Sequence, residues 1–294
     1  MNKVGFIGVG IMGKSMVRNL MKAGFELHIY ARTKSKVEDV IGEGAQFHES
    51  IKDCVQDCDA VITIVGFPQD VEEVYFDGGN ILDSAKKGAY LIDMTTTSPQ
   101  IAEKIYAEGT KRGFHVMDAP VTGGDTGAKA GTLSILVGGE KEDYEACMPL
   151  FEAMGTNINY QGKAGCGQHC KLANQIMIAG TLSGVCEALT YAKEQGLDPE
   201  VFMKSVATGA AGSKQLDTFG PKILKDDYAP GFFMKHFIKD MKLALIEANR
   251  KGLSLDVLSM VLANYEELEQ EGYGDLGTQA LMKFYDEEHR NMEE

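Results

Sequence analysis

Residues 165–194 limit the possible folds of this chain more than any other stretch. From 172 to 192 it carries Leu172, Ala173, Ile176, Met177, Ile178, Ala179, Leu182, Val185, Cys186, Leu189 and Ala192. Taken as one helix, the stretch is roughly 45 Å long at about 1.5 Å per residue, and its apolar residues cover most of the circumference rather than one stripe. Such a helix is expected to be buried on nearly all sides. Its first turns carry Lys171, with Asn174 and Gln175 three and four residues further on, so the three side chains project from one face. A buried lysine is costly unless it has a partner or a chemical task. A lone lysine there would snorkel to solvent, but the two neighbouring amides favour a working group.

The amino-terminal end supplies a second constraint. Residues 3–7 form a short apolar strand that runs into Gly8-Val9-Gly10-Ile11-Met12-Gly13, after which Met16, Val17, Leu20 and Met21 keep helical spacing. This is GxGxxG between a strand and an amphipathic helix. The first glycine allows the tight turn, the second a close approach of a pyrophosphate, and the third the packing of helix on strand, with the helix N-terminus facing the anion. Gly8, Gly10, Ile11, Met12 and Gly13 are therefore expected to hold a dinucleotide. The second strand, 26–30, ends in Ala31-Arg32-Thr33-Lys34-Ser35-Lys36, with no acid where an NAD enzyme holds the ribose 2′-hydroxyl. Arg32, Lys34 and Lys36, with the hydroxyls of Thr33 and Ser35, suit a 2′-phosphate instead. A solvated basic helix start is the other reading of this cluster. NADP(H) is the expected cofactor, with NAD(H) the second choice.

Strands at 60–65, 90–93 and 115–118 alternate with helices at 37–41, 71–76 and 100–112. This rhythm predicts an α/β domain with a mostly parallel sheet covered on both faces. Loops 65–68 and 95–97 then fall at the carboxyl edge, where open α/β sheets bind ligands, although Gly, Pro and Thr also suit plain turns. Residues 118–124, followed by Gly127, Gly131 and Thr132, are glycine-dense; Gly123 and Gly124 free backbone N–H groups to share a concavity beside the Thr122 hydroxyl. A small carboxylate suits that geometry, and taken alone the stretch also reads as a flexible loop. A strand at 133–137, a helix at 144–154 and a strand at 157–160 complete this domain. After Gly162 no alternation recurs, and helices are expected at 165–194, 199–208, 234–251, 255–271 and 279–290. The chain thus divides into a dinucleotide-binding domain, 1–162, and an all-helical domain, 163–294. Its acidic end, with Asp286, Glu287, Glu288, Glu293 and Glu294, reads as a frayed, solvated tail.

Composition removes other classes. The balance of 29 basic against 43 acidic residues, a net charge of −14, argues against nucleic acid or an anionic membrane surface as partner. No run of 18 apolar residues and no signal peptide is apparent, so a cytoplasmic protein is expected. Its six cysteines should accordingly be reduced. Cys166, His169 and Cys170 have no second ligand pair at a zinc-type spacing, so no metal is expected.

Together, GVGIMG at 8–13, DAPVTGGDTGAKAGTL at 118–133, GCGQHCKLANQ at 165–175 and FIKDMKLALIEA at 237–248 resemble the β-hydroxyacid dehydrogenases. That group includes 3-hydroxyisobutyrate dehydrogenase, tartronate semialdehyde reductase and the glyoxylate/succinic semialdehyde reductases. The resemblance covers almost the whole chain and implies a Rossmann domain, a long interdomain helix and an all-helical domain, assembled as a homodimer or homotetramer. It implies that Lys171 is the general acid/base and that Asn174 and Gln175 orient the substrate, while Thr122, Gly123 and Gly124 bind its carboxylate. Thr122 stands where serine is usual, which keeps the hydroxyl and adds a methyl group. Val65, Gly66, Thr96 and Lys239 match cofactor-contacting positions.

Hydride transfer needs no metal when a protein group handles the alcohol proton, and a desolvated lysine can be tuned towards neutral pKa. The expected activity is reduction of a small semialdehyde or oxoacid by NADPH. Rival readings are an imine reductase, against which Lys171 speaks, and an NADP-sensing or interaction module without turnover. Phosphogluconate dehydrogenase is related, but its much larger helical domain is lacking.

Overall fold

The computed structural model describes residues 1–285, so the acidic tail and the second half of the helix expected over 279–290 lie outside the described residues. The strands are β1 (Lys3–Ile7), β2 (Glu26–Tyr30), β3 (Gln46–Phe47), β4 (Ala60–Thr63), β5 (Tyr90–Asp93), β6 (His115–Asp118), β7 (Val121–Thr122), β8 (Leu133–Gly139) and β9 (Gly155–Gly162). They form one sheet in the order β3-β2-β1-β4-β5-β6-β8-β7, with β9 also paired to β8. The first six are parallel; β8 runs antiparallel to β6 and β7.

Residues adjacent along a strand enter different cores, as a period of two requires. Phe6, Ile62 and Ile92 join the cluster around Met16, Leu20 and Phe151. Their neighbours Ile7, Val61 and Leu91 join the one around Val71, Tyr75 and Ile105. Both faces are therefore covered, which is why these strands read as continuous apolar runs.

Several local elements differ from the sequence expectation. The glycine-dense segment is not a loop: β7 is followed by the helix Gly124–Ala130, closed by Gly131 in the left-handed region at φ 69°. The helix expected over 144–154 is two, Lys141–Ala146 and Met148–Met154, because Pro149 starts a new helix rather than continuing one. The strand β3 and the short helices Ile51–Val55 and Ile81–Ser84 are additional elements, too short to show a period in the sequence.

The chain separates into two compact units, Met1–Lys171 and a second from Leu172 onward, and the long helix Cys166–Glu194 runs from the first into the second. In the second unit Leu172, Ala179, Leu182, Cys186 and Leu189 pack into a core with Phe237, Met241 and Tyr265. Its other helices are Pro199–Val206, Lys214–Ile223, Met234–Arg250 and Asp256–Gln270, and Thr278–Tyr285 forms a 3₁₀ turn. The long helix is not buried on nearly all sides, as its composition suggested. His169, Ala173, Met177, Thr181, Gly184 and Tyr191 form an exposed stripe, with Met177 72% and Tyr191 66% exposed.

At the carboxyl edge of the sheet, Thr63 of β4 lies opposite Asp93 of β5. The Thr63 hydroxyl donates to Asp93 Oδ1 at 2.8 Å and lies 3.1 Å from the Tyr75 hydroxyl, while the Thr95 N–H donates to the same Oδ1 at 3.1 Å. Asp93 Oδ2 has no hydrogen-bond partner among the described residues. Burial outweighs the donors and pushes the carboxyl from 3.8 up to about 6. Between those values the folded state keeps a proton that the unfolded chain has lost, so stability falls as pH rises through the window. The full shift corresponds to about 3 kcal/mol. Wild type should lose about 2 kcal/mol relative to Asp93→Asn between pH 4.5 and 7.5, read from urea unfolding. A difference that does not change with pH would show that Asp93 is ionised throughout.

Candidate active site

The turn after β1 contains glycines of two kinds. A Cβ on Gly8, whose φ is +97°, would lie 2.0 Å from the Ile64 carbonyl oxygen, and one on Gly13 would lie 2.1 Å from that of Gly8. Both are needed for the chain to pack on itself. A Cβ on Gly10 would meet nothing within 4 Å. The space beside Gly10 is therefore open to a ligand. No side chain caps the helix Ile11–Lys22 and its first turn holds no acid, so its positive end faces that space uncompensated. Ile11 is exposed and Met12 half-buried at its start. The residues present fit a pyrophosphate.

At the end of β2, Arg32 is largely exposed and reaches Asp70 Oδ1 at 3.3 Å. The other Asp70 oxygen accepts the Phe67 N–H at the start of the helix Pro68–Phe76. Thr33 is exposed and precedes the 3₁₀ turn Lys34–Lys36. Lys34 lies 3.6 Å from Glu49 and over the Phe47 ring. The basic cluster thus has acidic neighbours, with the Arg32 guanidinium still accessible.

The loops after β4 and β5 are joined through Thr95, whose hydroxyl accepts the Val65 N–H at 3.0 Å. Gly66 is half-buried beside Val65, and Thr96 is half-buried between the buried Thr95 and Thr97. The same turn meets the long helix. The fully buried Gln168 donates through Nε2 to the Thr95 carbonyl at 2.7 Å and accepts the Thr97 N–H at 3.0 Å.

Asp118, the last residue of β6, holds the start of that helix. Its buried carboxylate accepts the N–H groups of Gly165 and Gln168, each at 2.8 Å. Burial raises its pKa, and these donors pull it back. Only a glycine fits at 167, where a Cβ would lie 2.3 Å from the Leu136 carbonyl oxygen. Lys171 follows one turn after Gln168 and is 7% exposed. Thr122 pairs with Ser134 and is half-buried, and Gly123 and Gly124, at φ 131° and 65°, are exposed.

Within the second unit, Asn174 donates to Gln175 Oε1 at 2.8 Å, and Gln175 Nε2 donates to Asp240 Oδ2 at 2.7 Å. Lys239 Nζ lies 3.0 Å from Asp240 Oδ1, and its side chain is only 12% exposed. Gln175 is buried with both ends of its amide engaged by protein.

The first unit therefore links Gly8, Val65, the turn 95–97, Asp118 and the helix start through successive contacts. Arg32 reaches the same loop through Asp70, which accepts the Phe67 N–H, and Thr33 is exposed beside it. Asn174, Gln175 and Lys239 belong to the second unit. Sequence reasoning missed Asp93, Asp118, Gln168 and Asp240. A signal existed for Gln168: with Lys171 and Gln175 it repeats at three and four residues, a polar stripe on an apolar helix.

Residues 3–162 match the family described as the NAD binding domain of 6-phosphogluconate dehydrogenase, and residues 165–285 match the one described as NAD-binding of NADP-dependent 3-hydroxyisobutyrate dehydrogenase. The chain is 49% identical to an oxidoreductase of Bacillus subtilis over 96% of its own length and 98% of that protein's. It is 44% identical to a mitochondrial 3-hydroxyisobutyrate dehydrogenase-like protein of Arabidopsis thaliana, over 95% of this chain and 84% of the relative. Its fold matches the solved structure of Mycobacterium tuberculosis 3-hydroxyisobutyrate dehydrogenase with L-serine at a TM-score of 0.88 and 26% identity, covering 96% and 98% of the two chains. Fold, glycine turn and relatives agree, and the chain belongs to the β-hydroxyacid dehydrogenases, oxidoreductases that act with NAD(P) on CH–OH groups.

Proposed function

We propose that this protein interconverts a small β-hydroxyacid and its semialdehyde or oxoacid with NADP(H), Lys171 acting as the general acid/base. The observation that carries this reading is a lysine 7% exposed, one turn from a helix start that buried polar groups hold against the sheet's carboxyl edge. A lysine is seldom buried without a partner or a task. The nicotinamide, when bound, supplies or takes the hydride. Lys171 gives a proton to the carbonyl oxygen in reduction and removes it from the hydroxyl in oxidation. Asn174 orients the substrate, and Gln175, tied to Asp240, keeps the Asn174 amide aimed. The Thr122 hydroxyl and the N–H groups of Gly123 and Gly124 take the carboxylate. Gly8, Gly10, Ile11, Met12 and Gly13 cradle the pyrophosphate, Val65, Gly66 and Thr96 line the cofactor's path, and Lys239 contacts it while paired with Asp240.

Assays of small oxo- and hydroxyacids, glyoxylate first, with NADPH and NADH test this reading. An absence of turnover across the panel alongside tight NADPH binding would favour a sensor. General acid–base assistance is worth about 10²–10⁴-fold, so Lys171→Ala should lose at least that much turnover while retaining NADPH binding. Lys171→Arg should not restore it, because a guanidinium stays protonated. Near-normal turnover of Lys171→Ala would sink the assignment.

The preference for NADPH is assigned to Arg32 and Thr33, supported by the missing acid at the end of β2. Because Arg32 is exposed, its bond to a 2′-phosphate is worth about 1 kcal/mol, roughly fivefold in affinity. Arg32→Ala should weaken NADPH by that factor and leave NADH unchanged, measured by fluorescence titration. Equal weakening of both would place the discrimination elsewhere.

We also propose that the protein is a homodimer or homotetramer whose second units meet. Support comes from Met177, Val257 and Met260, which are 72%, 60% and 51% exposed on neighbouring helices. So many exposed apolar side chains favour a covered face. Sedimentation equilibrium should give a multiple of the 32.0 kDa chain mass, reduced by Met177→Lys. A wild-type monomer at micromolar concentration would remove the proposal.

A further inference from the structure

We infer that Gln168 is a positioning residue that sets where Lys171 presents its proton. The inference rests on the reading of Lys171 as acid/base and extends it to the group that aims the lysine. Apolar packing resists separation of the long helix from its neighbours but is non-directional, so it fixes rotation and axial register weakly. Directional bonds have to supply that precision. Gln168 stands three residues before Lys171, and side chains at that spacing leave a helix on the same face. Whatever fixes the azimuth of Gln168 fixes that of Lys171.

Gln168 is held at both ends. Its amide accepts the Thr97 N–H at 3.0 Å and donates to the Thr95 carbonyl at 2.7 Å, using the turn after β5 as a parallel strand would. Its backbone N–H is held independently by Asp118 at 2.8 Å. The turn that receives the amide is itself fixed: Thr95 accepts the Val65 N–H and donates its own N–H to Asp93. A fully buried glutamine that satisfies two backbone groups has little freedom, and its loss would leave both groups unpaired. Such a bidentate bond locks the lysine-bearing turn to Thr95 and Thr97, which flank Thr96.

Two substitutions separate the polarity of this contact from its volume. Gln168→Glu keeps the size and the acceptor but sets a carboxylate oxygen against the Thr95 carbonyl. Gln168→Met keeps the length and removes both bonds. Single-turnover hydride transfer from NADPH to glyoxylate is measured in each variant, alone and combined with Lys171→Ala, beside NADPH and glyoxylate affinity. Misplacing a reacting group by about 1 Å costs on the order of 10²-fold. Each variant should therefore slow transfer about 10–100-fold in the wild-type background, with NADPH affinity within about twofold. In the Lys171→Ala background neither should slow it further. An equal slowing in both backgrounds, or none in the wild type, would overturn the inference, and a cooperative melt of either variant suffices for the comparison. Fast transfer by Lys171→Ala alone would instead strike the lysine reading, and the single variant distinguishes the two failures.

Discussion

A helix of 29 residues begins with backbone N–H groups that have no partner inside it, and here that beginning is buried against β6 and β8. Asp118 meets the demand with a carboxylate whose two oxygens each take one of these N–H groups. Charge-assisted bonds to a helix N-terminus are among the stronger ones a buried carboxylate can make. They offset the cost of burial and place the first turn of the helix beside the end of β6. Gly138 and Gly167 make the approach possible, since a Cβ on either would fall within 2.9 Å of protein atoms. Without the carboxylate, the N–H groups of Gly165 and Gln168 lose their partner.

From that anchor the polar order spreads along the carboxyl edge. Asp118 holds the backbone of Gln168, Gln168 holds the turn 95–97, and Thr95 holds Val65 in the loop after β4. Behind the turn, Asp93 and Thr63 carry the network to Tyr75. Buried groups of this kind are costly when half-satisfied and specifying when complete. Loops at the end of a parallel sheet have no ladder of their own, and these side chains supply the fixed geometry that a ladder gives a strand.

The strands at 3–7, 26–30, 90–93 and 115–118 were legible to the residue because apolar runs between turn residues have few other readings. The doubly covered sheet followed from their alternation with helices. Shorter pieces were not legible: β3 has two residues, too few for any period. The helix Gly124–Ala130 was hidden by its own glycines, which have poor intrinsic helix propensity. Gly127 leaves room beside β8, since a Cβ there would lie 3.3 Å from the Leu133 side chain, an approach that no periodicity announces. The exposed stripe of the long helix is illegible for a related reason. Apolar content around a helix states what has to be covered, and cannot state whether the same chain covers it.

Candidate groups on the long helix illustrate the same division between type and context. Lysine and amides on an apolar helix announce chemistry, yet spacing alone treats Asn174 and Gln175 as equivalents. The structure separates them: Gln175 uses both ends of its amide on Asn174 and Asp240, while Asn174 is only half-buried. An amide engaged at both ends acts best by fixing its neighbour. Gln168 has the same character one turn before the lysine. Lys171 is thus preceded and followed on its helix face by amides engaged at both ends by protein groups, an arrangement that limits rotation of the turn it occupies. In the acid/base role proposed for Lys171, a long, flexible side chain can deliver a proton to a fixed point only if its root is held still, and we assign that restraint to those amides.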